Sequence, residues 1–409
     1  MTNSFLLFLI ALLFFTGCAS GPPIKGHQDA VPPEVIIGPE LQLMEIPVKK
    51  GFRAIMDDKG FAHVLAATAK SGELYHLVVD ENGMIQKDSI KRPKSIGRLD
   101  LALDAQRNLH ALVGKEHLLF KSDVWESLPQ DSCQLFARGG KNLTCAYNVE
   151  GEEVDSPRRW DWYGFAGGSG MGACACIFPW HTHPVKMAIL TETDIGWSRG
   201  ILIDAATKAD INALSISTDD EGTIHIVYYA RAGGNLNPFQ ETKYLRIPSS
   251  VTQDRKNHLT GWVKMEGQKI DGRLIWANIV VDPESGFLLI PISTRQDTYQ
   301  TRLMMNYHLG PEIDFFIGKL WHGLHPYLYP AGDGQFHALV VGSIGGFWTP
   351  TCTPYYLLFK QGVWSAPLEL GQNNCYGSEE LVSDRFGRAL VLWQNEKNQL
   401  AGRWIKTRK

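Results

Sequence analysis

Four side chains able to bind metal or carry protons fall within ten residues of one another: Cys174, Cys176, His181 and His183. His-x-His along an extended segment points both imidazoles to one side, an arrangement suited to Zn or Cu, or to proton transfer at a single ring. In an oxidising compartment Cys174 and Cys176 are expected to pair with each other, so no metal and no other cofactor is expected. Zn or Cu on His181 and His183, with ligands from elsewhere, is the lesser alternative. Upstream stand Arg158, Arg159, Trp160, Trp162 and Tyr163. Aromatic faces stack on sugar rings and a guanidinium grips a carboxylate or sulfate with two prongs, so this set suits an acidic glycan. General acid–base work by His181, His183, His322 or His325 with Tyr163 or Tyr299 is the catalytic counterpart. No paired carboxylates and no nucleophile constellation can be read, so binding is expected ahead of catalysis.

What must position these groups is a repeated phrase: an apolar run, an acidic turn with Gly, then His or Leu opening a second apolar run. It begins at Ala54, Leu101, Ser215, Asn278, Tyr329 and Leu381. Two apolar runs joined by an Asp/Gly turn read as a β-hairpin, and a second hairpin follows most copies. Four antiparallel strands, A to D, recurring about every fifty residues make a propeller blade. One gap is about double the others, and the segment from Leu135 fills it as a degenerate A–B hairpin whose C–D hairpin starts at Met187. The expected fold is therefore all-β, a seven-bladed propeller with six or eight blades as the alternative. After its A–B hairpin the last blade has residues for strand C only, and 41–48 is expected to supply its missing strand.

The turn Asp and Gly are expected to serve the turn itself, and His63, His110, His225 and His337, which recur at one register position, to be structural. The pattern resembles the sialidase-related propellers with BNR-type repeats over most of 41–405, although no copy meets that group's Asp box, Ser-x-Asp-x-Gly-x-x-Trp. Arg246-Ile247-Pro248 is similar to the sialidase Arg-Ile-Pro motif but lies mid-chain, where the resemblance assigns it no role. What the resemblance implies is a carbohydrate-active enzyme, a lyase or glycosidase, as the alternative to binding.

Loop length then selects a face. The B–C connections read as short in blades one, two and seven, and as long in blades three to six, at 150–184, 231–242, 294–302 and 343–354. Function concentrates on long loops held by a rigid scaffold, which adds Arg231, Arg302 and Trp348 to Arg158, Arg159, Trp160 and Trp162 as binding candidates. The partner expected there is a glycan or an envelope protein. With 40 basic and 43 acidic residues, and no basic block, nucleic acid is excluded as a partner.

The N-terminus supplies an address. Residues 5–15 form an apolar run of signal-peptide length, and 15–18 resemble the lipobox of bacterial lipoproteins, with Cys18 as the acylated residue. The expected organisation is a signal peptide at 1–17, a lipidated Cys and tether at 18–40, and one propeller at 41–409. Ala19 is not the Asp that the resemblance associates with inner-membrane retention, so the outer membrane is expected, facing periplasm or cell surface. Six cysteines remain once Cys18 is set aside, which allows three disulfides: Cys133 with Cys145 across the 135–149 hairpin, Cys352 with Cys375, and Cys174 with Cys176.

Overall fold

The computed structural model describes residues 35–407 less short breaks and the longer segments 91–95, 162–175, 205–209, 232–239, 253–262, 271–278, 283–287, 316–326, 345–350 and 373–377. The strands of 154–182 and 291–315 are described by backbone pairing alone. The chain folds as a β-propeller of antiparallel sheets. The sheets are named here by their inner strands: Val48–Met56, Leu99–Leu103, Leu135–Phe136, Asp210–Thr218, Val280–Val281, Tyr327–Gly332 and Glu379–Ser383. These inner strands touch in that order around an axis, and Glu379–Ser383 returns to Val48–Met56.

The repeated phrase explains the layout. Second strands such as Ala62–Thr68, Leu109–Val113 and Arg388–Gln394 are buried almost throughout, because each sheet is covered on both faces by its neighbours. A strand buried on both faces reads as a continuous apolar run rather than an alternation. Outer strands meet solvent and turn polar, as in Val124–Ser127.

The closing strand is longer, and starts earlier, than the sequence suggests. It runs Val35–Met44 and pairs antiparallel with Leu400–Thr407, so 35–40 belongs to the sheet and not to a tether. Val48 begins the next sheet instead. Apolar residues of both edges, among them Leu43, Phe52, Val382, Leu392 and Trp404, form one core across the closure. Hydrogen bonds reinforce it: Val48 N donates to Asn398 O at 2.8 Å, and the indole Nε1 of Trp404 donates to Asp80 O at 2.6 Å.

The segment from Leu135 does form an inner hairpin whose third strand is Val185–Thr193, with Ile201–Ile203 beyond. Val263–Met265, from the far side of the following sheet, then pairs parallel to Ile201–Ile203. Three residues later Gln268–Ile270 becomes the outer strand of the Asp210 sheet, so this segment straps two neighbours together. Cys133 and Cys145 form a disulfide, and Cys352 is also disulfide-bonded; Cys18, Cys174 and Cys375 lie outside the described residues.

The expected long loops are largely strand. Leu288–Arg295 pairs with Thr298–Met305 up to Arg295 opposite Thr298, so most of 294–302, expected to be a loop, is paired strand. Gln335–Ile344 and Thr351–Lys360 likewise pair to Ile344 opposite Thr351. Within 150–184, Val154–Asp155 pairs with His181–Thr182, and Arg159–Asp161 with Cys176–Phe178, which carries the hairpin of the Leu135 sheet outward as a ribbon. Backbone amides and carbonyls that leave the sheet body must still be paired, and a lengthened hairpin pairs them.

Candidate functional site

On the side where the A–B turns lie, a cavity of about 310 Å³ opens on the axis and is lined by all of the named sheets. Its walls include Ile55, Leu103, Val280 and Leu328, and Asp57, Asp282 and Asp384 stand among its turn residues. Arg138 and Tyr329 also line it.

Arg138 owes its place to its neighbours in sequence. Its backbone makes a parallel bridge with Ser217: Arg138 N donates to Ile216 O at 2.9 Å, and Thr218 N donates to Arg138 O at 2.8 Å. Gly139 and Gly140 follow with φ of 77° and 75°, and a Cβ on Gly139 would stand 2.8 Å from Thr218 O. Only glycine gives both the left-handed turn and the close approach. Held this way, Arg138 reaches across the axis, donating from Nη2 to Glu380 Oε1 at 3.2 Å, with its guanidinium 5.1 Å from the centre of the Tyr329 ring.

Glu380, on the inner strand opposite, is fully buried and also has Arg53 Nη1 3.4 Å from Oε2. Asp100, buried on the next inner strand, accepts from Phe136 N at 2.8 Å and from Leu101 N. Burial disfavours charge on both guanidinium groups, but it is outweighed: for Arg138 by Tyr329, Glu380 and Asp100, and for Arg53 by Glu380, Tyr327 and Asp100. Both pKa values therefore rise above the usual arginine value. Burial, with Glu380 beside it, raises the Tyr327 phenol, and burial pushes Tyr329 up to about 12. Arg53 and Arg138 thus share Glu380 in an ion-paired plug across the axis, with both phenols protonated at neutral pH.

The turns repeat a second arrangement. Asp104 accepts from Asn108 N at 2.7 Å and lies 3.2 Å from His110 Nε2, while His110 Nδ1 lies 2.8 Å from His117 Nε2. Asp57, His63 and His76 repeat it, and in the Asp210 sheet Asp219 and His225 continue to the Tyr244 hydroxyl. His337 bonds Tyr356 Oη at 2.7 Å, but Ala331 occupies the position of the turn Asp. Burial holds His76 and His337 down to about 3. Burial also lowers His225, and all of the recurring histidines are hydrogen-bonded within the scaffold, a structural role that their recurrence suggested.

Backbone register places several of the residues singled out from sequence. His181 is paired in register with Asp155, Arg159 with Phe178, Trp160 with Ile177, and Cys176 with Asp161. Arg231 ends a strand opposite Asp210 and Gln240, while Tyr299 and Arg302 lie within a strand rather than a loop, opposite Ser293 and Ile290. Arg158, Trp162, Tyr163, His183, His322, His325 and Trp348 lie outside the described residues. Arg246 sits on the third strand of its sheet, opposite His225, and does not line the axial cavity. Among the described residues, no group of three or more His, Cys, Asp or Glu could hold a metal, and no helix is long and apolar enough to cross a membrane.

The plug was missed, although a signal for it exists. Four residues before the turn Asp, within the inner strand, stand Arg53, Asp100, Ser215 and Glu380. A polar residue recurring at one buried register position is the mark of an axis lined with polar groups.

No protein-family model matches the chain, and no curated protein matches it. Solved structures with a similar fold include a protein of unknown function from Dyadobacter fermentans, at 12% identity and TM-score 0.45, covering 92% of this chain and 100% of that one. The intramolecular trans-sialidase of Ruminococcus gnavus matches at 10% identity and TM-score 0.40 over 89% and 94% of the two chains. A gluconolactonase from Xanthomonas campestris matches at 9% and 0.40 over 95% and 99%.

Proposed function

We propose that this chain is a cell-envelope lipoprotein, anchored through Cys18, whose seven-bladed propeller binds an acidic glycan on the side of its extended hairpins. Seven blades follow if each named sheet is counted by the inner strand it gives to the axial ring. The observation that carries the functional reading is a difference in hairpin length. Counted from the residue six past the turn Asp, the second strand continues for five, three and four residues after His63, His110 and Leu390. After His225, Leu288 and His337, the last counted from Ala331 in the Asp position, it continues for six, seven and seven. At about 3.4 Å per residue the latter hairpins project roughly 3 to 14 Å farther on one side. The ribbon of the Leu135 sheet joins them there, with Arg159 and Trp160 in it. Arginine and aromatic residues on a raised surface suit a sugar polymer bearing carboxylates or sulfates. By contrast, on the axis Glu380 is taken up by Arg53 and Arg138, and Asp100 by backbone amides.

The test is a glycan array with a turnover screen on soluble protein that begins ahead of Val35, beside a variant carrying Arg159→Ala, Trp160→Ala and His181→Ala. Salt-sensitive binding to uronate or sulfated glycans, lost in the variant, supports the reading. Binding that the variant leaves intact overturns the choice of face. Glycan cleavage abolished by the variant replaces binding with a lyase or glycosidase, and capture of an envelope protein with no glycan bound replaces the ligand class.

A further inference from the structure

Among the described residues, the large hydrophobic side chains left exposed are Ile36, Ile46, Met84, Val124, Val363 and Phe386. All but Ile46 lie on the turn side. Met84, Val124 and Val363 each follow a C–D turn, Phe386 sits in the A–B turn of the Glu379 sheet, and Ile36 is opposite Lys406 beside that turn. The sheets that carry them are consecutive around the axis: Tyr327, Glu379, Val48 and Leu99. A single exposed apolar residue is ordinary, but apolar tips on neighbouring turns form a shared rim.

The same rim is where the chain arrives from its N-terminus. Val35 is opposite Thr407, and Thr407 N donates to Gly387 O in the A–B turn, so the closing strand begins on the turn side and runs away from it. Sixteen residues separate Cys18 from Val35. We infer that the turn side of these consecutive sheets is the face the protein lays against the bilayer that holds Cys18, with the apolar tips entering the lipid interface and the extended hairpins pointing away from it.

This inference rests on the lipoprotein reading and adds an orientation to it. A coil of sixteen residues spans roughly 22 Å, so an anchored Cys18 keeps the rim near lipid at a high effective concentration. A contact too weak to recruit the protein alone then suffices to orient it. Charge is not the attraction: Lys406 pairs with Glu81, Arg107 with Asp58 and Arg388 with Asp384, and the exposed Lys59 and Lys121 are matched in number by Asp80 and Asp333 on turns of the same side. With no excess of basic groups on the rim, orientation is independent of anionic lipid.

The experiment uses the full lipidated chain in phosphatidylcholine vesicles containing nitroxide-labelled lipid. A fluorophore is attached to Val124→Cys, Val363→Cys or Lys397→Cys, one at a time, Lys397 being exposed in the short B–C turn on the other side. Emission from positions 124 and 363 should be largely quenched and that from 397 largely retained, and phosphatidylglycerol should change neither. Equal quenching at all three positions, stronger quenching at 397, or none in protein that floats with the vesicles overturns the orientation while leaving the anchor intact. Protein that does not float with the vesicles overturns the anchor itself, and the orientation with it.

Discussion

The two places where the ring could come apart are joined by different means. Between the Glu379 and Val48 sheets the joint is made of side chains: a shared apolar core, the added strand Val35–Met44, and Glu380 held by Arg53 and Arg138. Between the Leu135 and Asp210 sheets there is also a shared apolar core, with Ile189, Ile203, Ile216 and Ile226 in it, but what is added to it is backbone: Arg138 is bridged to Ser217 on the inside and Val263–Met265 is strapped to Ile201–Ile203 on the outside. An ion-paired seam needs specific charged residues and leaves little room for change. Added backbone pairing places fewer demands on side-chain identity, and it is on this side of the ring that the hairpins have lengthened. Stability and elaboration are thus assigned to different parts of one ring.

The largest effect should come from Glu380. Replacing it with Ala leaves two buried guanidinium groups facing each other with one partner removed, which costs about 3–5 kcal/mol by analogy with other broken buried pairs. Urea denaturation of the Glu380→Ala variant should show that loss. Replacing the ribbon at 151–184 by a short turn should leave the midpoint almost unchanged. If the ribbon variant proves the less stable of the two, the division between seam and elaboration is wrong.

Acid is the next way to probe the seam side. His76 and His337 are held near 3, below the ordinary value of about 6.5, so an unfolded chain takes up two protons in that interval that the folded chain refuses. Their contribution is fully present above pH 6.5 and is lost as pH falls towards 3, at about 2.7 kcal/mol per pH unit once both are titrating in the unfolded state. Asp57, Asp104 and Asp219 add to the loss: burial favours their protonation, but hydrogen bonds from neighbouring amides and side chains prevail and hold each below the usual aspartate value. Stability measured between pH 7 and 4 should therefore fall steeply. A flat profile would mean that the buried imidazoles open to water before the sheets separate.

Much of this scaffold was legible from sequence because the repeat fixes register. A turn Asp, a Gly with positive φ and a His six residues on allow only one alignment of two strands, and the Cys133–Cys145 pairing could be read from the near-symmetric placement of the two cysteines about Gly139. The start of the closing strand was not legible, since 35–40 contains Gly38 and Pro39 and reads like a linker; it is strand because Leu400–Thr407 offers it an edge. Loop lengths misled for a related reason. Polar residues such as Thr298 and Gln300 continue a hairpin as readily as they form a loop, so polarity alone does not end a strand. The plug escaped notice because Arg138 and Glu380 are 242 residues apart and meet only when the ring closes.

The smallest expected effect tests the register argument itself. His63, His110 and His225 each have an Asp six residues earlier, whereas His337 has Ala331, and its Nε2 is buried with no hydrogen-bond partner among the described residues. Tyr329 opposes His337 as Ile55 opposes His63, so the two copies share a register and Ala331 stands where Asp57 stands. Ala331→Asp should therefore place a carboxylate against Nε2 and raise the His337 pKa from about 3 by roughly 1–3 units, read from its imidazole resonances during an NMR titration. The slope of stability against pH should become shallower below pH 6.5, since less of the proton uptake is withheld from the folded chain. Asp384 limits the gain, because it already acts on His337 in the same direction and a second carboxylate nearby is held less firmly as an anion. A His337 pKa that stays at about 3 would show that the repeat aligns backbones without aligning the groups they carry.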